Sequence, residues 1–130
     1  FGKVNHPPLT PTITGPIKGI VVVAYQYNFT TTDPEGDLVN YFIDWGDGIN
    51  SSWIGPYTSE AEITKEHTWS KKGTYIIKVK AKDIYDFESE WGYLEVTMPY
   101  AYNLASMQFW DRLFQRFPYA FPILRHFMRY

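Results

Sequence analysis

The stretch Leu38-Val39-Asn40-Tyr41-Phe42-Ile43-Asp44-Trp45-Gly46-Asp47-Gly48 constrains the fold more than any other part of the chain. Alternation puts Val39, Tyr41, Ile43 and Trp45 on one face and Asn40, Phe42 and Asp44 on the other, which is the period of a half-buried β-strand. Asp47-Gly48 then supplies the positive backbone angles of a tight turn. A hairpin or bulged loop is expected to follow at once.

The flanking sequence supplies the other strands. Leu9 to Thr14 alternates into Gly15-Pro16 and reads as an edge strand. Ile20 to Phe29 is β-branched and then aromatic, a strong strand signal. Ser52 to Tyr57 and Glu60 to Lys65 form two shorter strands, the second with Ala61 and Ile63 turned inward. Tyr75, Ile77, Val79 and Ala81 alternate with Ile76, Lys78, Lys80 and Lys82, so one face is core and the lysines point to water. Trp91 to Val96 completes the set, and Pro99 ends it. About seven short antiparallel strands with turn chemistry between them predict an all-β sandwich over residues 1–99 rather than alternating βαβ units.

After Pro99 the period changes. From Leu104 to Phe117 a helical wheel gathers Leu104, Met107, Phe109, Trp110, Leu113, Phe114 and Phe117 over an arc of about 220°, with Gln108, Arg112, Gln115 and Arg116 on the remainder. A surface helix covers one core with an apolar stripe of only about 100°. Pro118 stops this helix and Pro122 opens a second, whose Phe121, Leu124, Phe127 and Met128 continue the apolar side opposite Arg125 and Arg129. Residues 100–130 are therefore predicted to be a tail of one or two short helices. Thirty residues make no core of their own, so the tail is expected to bury itself on the sandwich, another subunit or a membrane.

Charge divides along the same boundary. Residues 1–100 carry 13 acids and 8 lysines, whereas residues 101–130 carry Asp111 and four arginines. The acidic body and a pI near 5.9 speak against nucleic acid as a partner. A basic tail can meet an acidic body, its own or a neighbour's. There is no cysteine, and no run reaches the length of a membrane-spanning helix. Asn28-Phe29-Thr30 and Asn50-Ser51-Ser52 are sequons, so Asn28 and Asn50 are candidate glycosylation sites of an exported protein.

Tyr41-Phe42-Ile43-Asp44-Trp45-Gly46-Asp47-Gly48 resembles the Tyr-x-Trp-x-Phe-Gly-Asp-Gly hallmark of the PKD domain, with Ile43 in place of Trp and Trp45 in place of Phe. Asp33-Pro34-Glu35-Gly36-Asp37 is similar to the family's acidic loop. His67-Thr68-Trp69 and Gly73-Thr74-Tyr75 are similar to its His-x-aromatic and Gly-Thr-Tyr signatures, and Asn5-His6-Pro7-Pro8 and Thr14-Gly15-Pro16 also fit. The resemblance spans about residues 5–98 and implies an immunoglobulin-like sandwich of extracellular or cell-surface proteins. It also implies a calcium site at Asn5, Asp33 and Asp83, to which Glu35 and Asp37 can add charge. The plainer account makes Asp33 and Asp37 turn formers and Asp83 a solvated strand end. Where the family often has Gly after that aspartate, this chain has Asp86.

No catalytic constellation stands out. Asp44 and Asp47 are explained by bonds to their turn's own amides, and His67 as a packed residue; no nucleophile elbow or His-Glu metal pattern occurs. Among the aromatics, Trp53 and Tyr57 are the candidates for stacking on a ligand, while Trp69, Trp91 and Tyr93 read first as core or edge. The first expectation is a non-catalytic cell-surface structural module, a homo-oligomer or filament joined through Trp110, Arg112, Leu113, Phe114, Arg116, Phe117, Phe121, Leu124, Arg125 and Phe127. The tail's Arg-Phe-Pro and Phe-Pro-Ile-Leu-Arg segments are similar to C-termini of archaeal surface proteins that carry PKD domains. A different class is an accessory module of a secreted hydrolase that presents polysaccharide or protein. A third is a membrane-surface anchor through the tail.

Overall fold

The computed structural model describes residues 4–100, and the tail expected to be helical, with its expected assembly residues, lies outside them. Eight strands are present: β1 (Thr12–Thr14), β2 (Lys18–Ile20), β3 (Ala24–Thr30), β4 (Val39–Asp44), β5 (Asn50–Tyr57), β6 (Ile63–Thr68), β7 (Gly73–Lys82) and β8 (Gly92–Tyr100). They form a three-stranded sheet in the order β1-β3-β6 and a five-stranded sheet in the order β2-β8-β7-β4-β5. No helix occurs among the described residues, so none there is long and apolar enough to cross a membrane.

The period-two pattern sets the core. Val39, Tyr41, Ile43 and Trp45 are all buried, as are Ile77, Val79 and Ala81 from β7 and Val96 and Met98 from β8. Tyr27, Phe29, Ile63 and Trp69 meet them from the other sheet. Tyr27, Phe29 and Trp69 all pack on Trp45 with ring centroids 5.9 to 6.1 Å apart. Trp45 thus joins the hallmark strand to the opposite sheet.

Four expectations need correction. The run Ile20–Phe29 is two strands, not one, which makes eight among the described residues. The chain turns at Val21-Val22, where Val22 has φ 67°, and passes from one sheet to the other with Val21 buried at the crossing. A continuous aliphatic run carries no mark of such a turn. In consequence β2 pairs with β8 in parallel, so the sheets are not wholly antiparallel.

Pro99 does not end β8. The Thr97 N–H donates to the Ile17 carbonyl at 2.9 Å, and two residues on, at the same edge, Pro99 has no N–H to give. The register slips there, from Lys18 opposite Thr97 to Ile20 opposite Tyr100, and a proline is tolerated at such a bulge. Ala61 is exposed, not inward. It belongs to the turn in which its N–H meets the Thr58 carbonyl at 3.1 Å and Glu60 has φ 73°, so that β6 begins at Ile63.

Candidate functional site

Aspartate at the start of a turn accepts the amides two and four residues on, and this places the acids at one pole of the sandwich. Asp33 Oδ2 accepts the N–H groups of Glu35 and Asp37 at 3.1 and 3.0 Å. Asp83 Oδ1 does the same for Tyr85 and Phe87 at 2.8 and 3.1 Å. Asp86 takes φ 65° in that second turn, which an aspartate tolerates where the family has Gly. Asn5 Nδ2 reaches across from the N-terminal segment to Asp83 Oδ2 at 2.7 Å. Asp33 and Asp83 are only 2% and 1% exposed, so neither is a solvated side chain.

The predicted trio divides into a bonded Asn5–Asp83 pair and Asp33, which has different neighbours. Ligand atoms of Asp33, Glu35 and Asp37 all lie within 4.8 Å of one another, as ligands of one calcium ion must at 2.3–2.6 Å from it. Asp33 Oδ1 is buried without a hydrogen-bond partner. Burial, followed by the charges of Asp33, Asp83 and Glu35, pushes the Asp37 carboxyl above its usual value. Glu35 is held below its own by hydrogen bonds from the His6 ring and backbone N–H. Between Asp33 and Asp37 the chemistry calls for a proton or a cation, and the donor set fits calcium.

A second feature is the outer face of the five-stranded sheet. Phe42 meets Trp53 and Trp91 edge-on at 5.6 and 6.1 Å. Lys80 lies over Trp91 at 4.8 Å and Lys82 over Trp53 at 4.5 Å, while Lys80 pairs with Glu88 and Lys82 with Asp86 at 2.6 and 3.1 Å. The lysines therefore do not simply point to water. Their stems cover a strip of half-buried rings and their heads are held by acids. Sequence reasoning named Trp53 but missed its neighbours Phe42 and Trp91, which register on β4 and β7 would have aligned. Tyr57 stands apart, packed on the core ring of Tyr41 at 5.9 Å.

The remaining candidates resolve into structure. Asp44 and Asp47 accept the Gly46 and Ile49 amides at 2.8 and 3.2 Å. His67 is packed against Trp45 and bonded to Asp47. Trp69 is core, its indole N–H donating to the Trp45 carbonyl at 3.2 Å. Asn28 is half-buried and accepts the Thr64 hydroxyl at 2.7 Å, whereas Asn50 is exposed beside the turn.

No protein-family profile matches the sequence. Among solved structures, the chain is similar to the PKD domain of an M14-like peptidase from a Thermoplasmatales archaeon, with 55% identity, a TM-score of 0.73, and coverage of 74% of this chain and 99% of that one. Two structures of the CARDB domain of a Pyrococcus furiosus protein, one in complex with di-metal ions, share the fold at 15% and 17% identity with TM-scores of 0.50 and 0.53. They cover 75% and 72% of this chain and 93% and 96% of those chains. With the hallmark strand, the acidic pole and the first of these likenesses in place, the chain belongs to the PKD domain family.

Proposed function

We propose that the chain is a non-catalytic extracellular or cell-surface module that serves a secreted peptidase by holding polypeptide substrate. The observation that carries this reading is the 55% identity, over 99% of its length, to a PKD domain of a peptidase. The fate of the acids and His67 supports it, since Asp47 and His67 are spent on a turn and the core and Asp44 holds a turn amide through one oxygen. The strip of Phe42, Trp53 and Trp91 is the contact surface for substrate. Calcium at Asp33, Glu35 and Asp37 braces the pole.

Co-sedimentation of the chain with insoluble elastin tests the main claim. Retention that falls several-fold in Trp53→Ala and Trp91→Ala, with far-UV circular dichroism unchanged, is expected. Absence of retention, or retention indifferent to both substitutions, overturns it.

Self-association through the tail is a second reading, favoured by the apolar arc from Leu104 to Phe117 and by the opposite charges of body and tail. Light scattering should then give an assembly for the intact chain and a monomer for Phe114→Asp combined with Phe117→Asp. Monomers in both cases remove this reading and leave the first untouched.

A further inference from the structure

Beside the aromatic strip a polar row crosses the same sheet. Tyr93 of β8 is the partner of Lys78 of β7, Lys78 is the partner of Asp44 of β4, and Asp44 is the partner of Asn50 of β5. With Ile76 and Gly46 these four line an open groove of about 620 Å³. Three strand gaps of 4.7–4.9 Å give the row a length of about 14 Å.

The row has unused bonding capacity. Asp44 Oδ1 holds the Gly46 amide at 2.8 Å, but its Oδ2 lies 3.8 Å from Lys78 Nζ, too long for a hydrogen bond. Asn50 Oδ1 takes the Ser52 amide at 3.0 Å, which leaves the Nδ2 donors. Tyr93 is 63% exposed and Ile76 39%, an aromatic and an aliphatic surface at one end of the groove. Gly46 closes the floor, where a Cβ would come within 2.6 Å of the Ile76 carbonyl oxygen.

The ligand class follows from these groups. Asp44 and Lys78 cancel in charge, and the carboxylate would repel a phosphate or a carboxylate ligand. A sugar offers hydroxyls that both donate and accept, and C–H faces that settle on an aromatic ring. We propose that Tyr93, Lys78, Asp44 and Asn50 form a subsite for a neutral saccharide chain, with Tyr93 as the stacking platform, Asp44 as acceptor, and Lys78 and Asn50 as donors. Lys78 Nζ also lies 5.1 Å from the centre of the Trp91 ring, so the subsite adjoins the aromatic strip, but it does not rest on the polypeptide-holding reading.

The test is amide NMR of the full chain made in a bacterial cytoplasm, where Asn50 stays bare, titrated separately with cellotriose, chitotriose and mannotriose. At least one sugar is expected to give saturable shifts at Asp44, Asn50, Lys78 and Tyr93 with a Kd on the order of millimolar. Tyr93→Ala and Asp44→Asn should each weaken it about tenfold or more; asparagine keeps the acceptor for the Gly46 amide, so the turn survives. No saturable shift with any of the three sugars overturns the proposal. So do shifts centred on Trp53 that persist in Tyr93→Ala, or equal shifts of the row with inorganic phosphate.

Discussion

The imidazole of His67 lies flat on the indole of Trp45, with ring centroids 4.6 Å apart and planes 2° from parallel. Trp69 meets both rings edge-on. His67 Nε2 also reaches Asp47 Oδ2 at 2.8 Å, so a residue of β6 clamps the turn that follows β4. The His67 side chain is 9% exposed, which makes it a packing residue with one polar tie. His67→Ala should cost about 2–4 kcal/mol from the lost packing and the unpartnered carboxylate. His67→Phe keeps a ring on Trp45 and should cost about half as much. Urea denaturation decides it, and equal losses in the two variants would show that the stack contributes little.

Val22 holds φ 67° while 66% exposed, and its N–H donates to the Trp69 carbonyl at 2.8 Å. A β-branched residue there is strained by about 1–2 kcal/mol, and the exposed side chain returns little packing. Val22→Gly keeps the hydrogen bond and removes the strain, at a smaller entropic cost in the unfolded chain. The midpoint of urea unfolding should rise, by about 1 kcal/mol in stability, with the m-value unchanged. A fall would mean that the valine side chain contributes packing not seen in its exposure.

Two glycines should respond unequally to alanine. Gly92 opens β8 where a Cβ would stand 2.1 Å from the Pro11 carbonyl oxygen, a backbone contact that cannot give way without moving the N-terminal segment. Gly48 has φ 91° but open space around it. Gly92→Ala should cost about 3 kcal/mol or more by overpacking, and Gly48→Ala about 1–2 kcal/mol from the backbone alone. Thermal unfolding of the pair ranks them, and a Gly48 variant at least as damaged as the Gly92 variant would reverse this account.

These cases mark how far the sequence was legible. Alternation in Val39 to Trp45 and Tyr75 to Ala81 identified the inward residues because a strand's faces are fixed by its period of two. The hallmark strand, its turn and the acidic loops are contiguous motifs, and each sits where their turn chemistry requires. The Val22 turn was illegible, since no glycine, proline or asparagine marks it. The β2–β8 parallel pair and the approach of Gly92 to Pro11 were illegible for a different reason: they depend on segments far apart in sequence. The polar row was hidden likewise, because Asp44 reads as a turn residue and Asn50 as part of a sequon until register sets them beside Lys78 and Tyr93.

The acidic pole gives the last prediction, in which pH and calcium oppose each other. Asp37 carries a raised pKa in the folded protein, so the native state binds its proton more tightly than the unfolded chain. Stability from this group is present below the ordinary carboxylate range and is lost as pH rises through the raised folded value. Glu35, lowered by His6, works the other way: it contributes above the ordinary range and loses that contribution as pH falls. In chelator at neutral pH, Asp37→Asn should therefore raise the Tm, and the gain should vanish in acid as the wild-type carboxyl protonates. On the proposed calcium site the ion takes the place beside Asp37 that a proton takes in acid, so at a hundredfold excess over its Kd it should stabilise the wild type by about 2.7 kcal/mol, a Tm rise on the order of 10 °C. Asp33→Ala and Asp37→Asn should lose most of that calcium-dependent rise, whatever their Tm in chelator. A calcium response that survives in Asp33→Ala would place the ion elsewhere, and a Tm of Asp37→Asn below wild type at neutral pH would show that the carboxylate is not under strain.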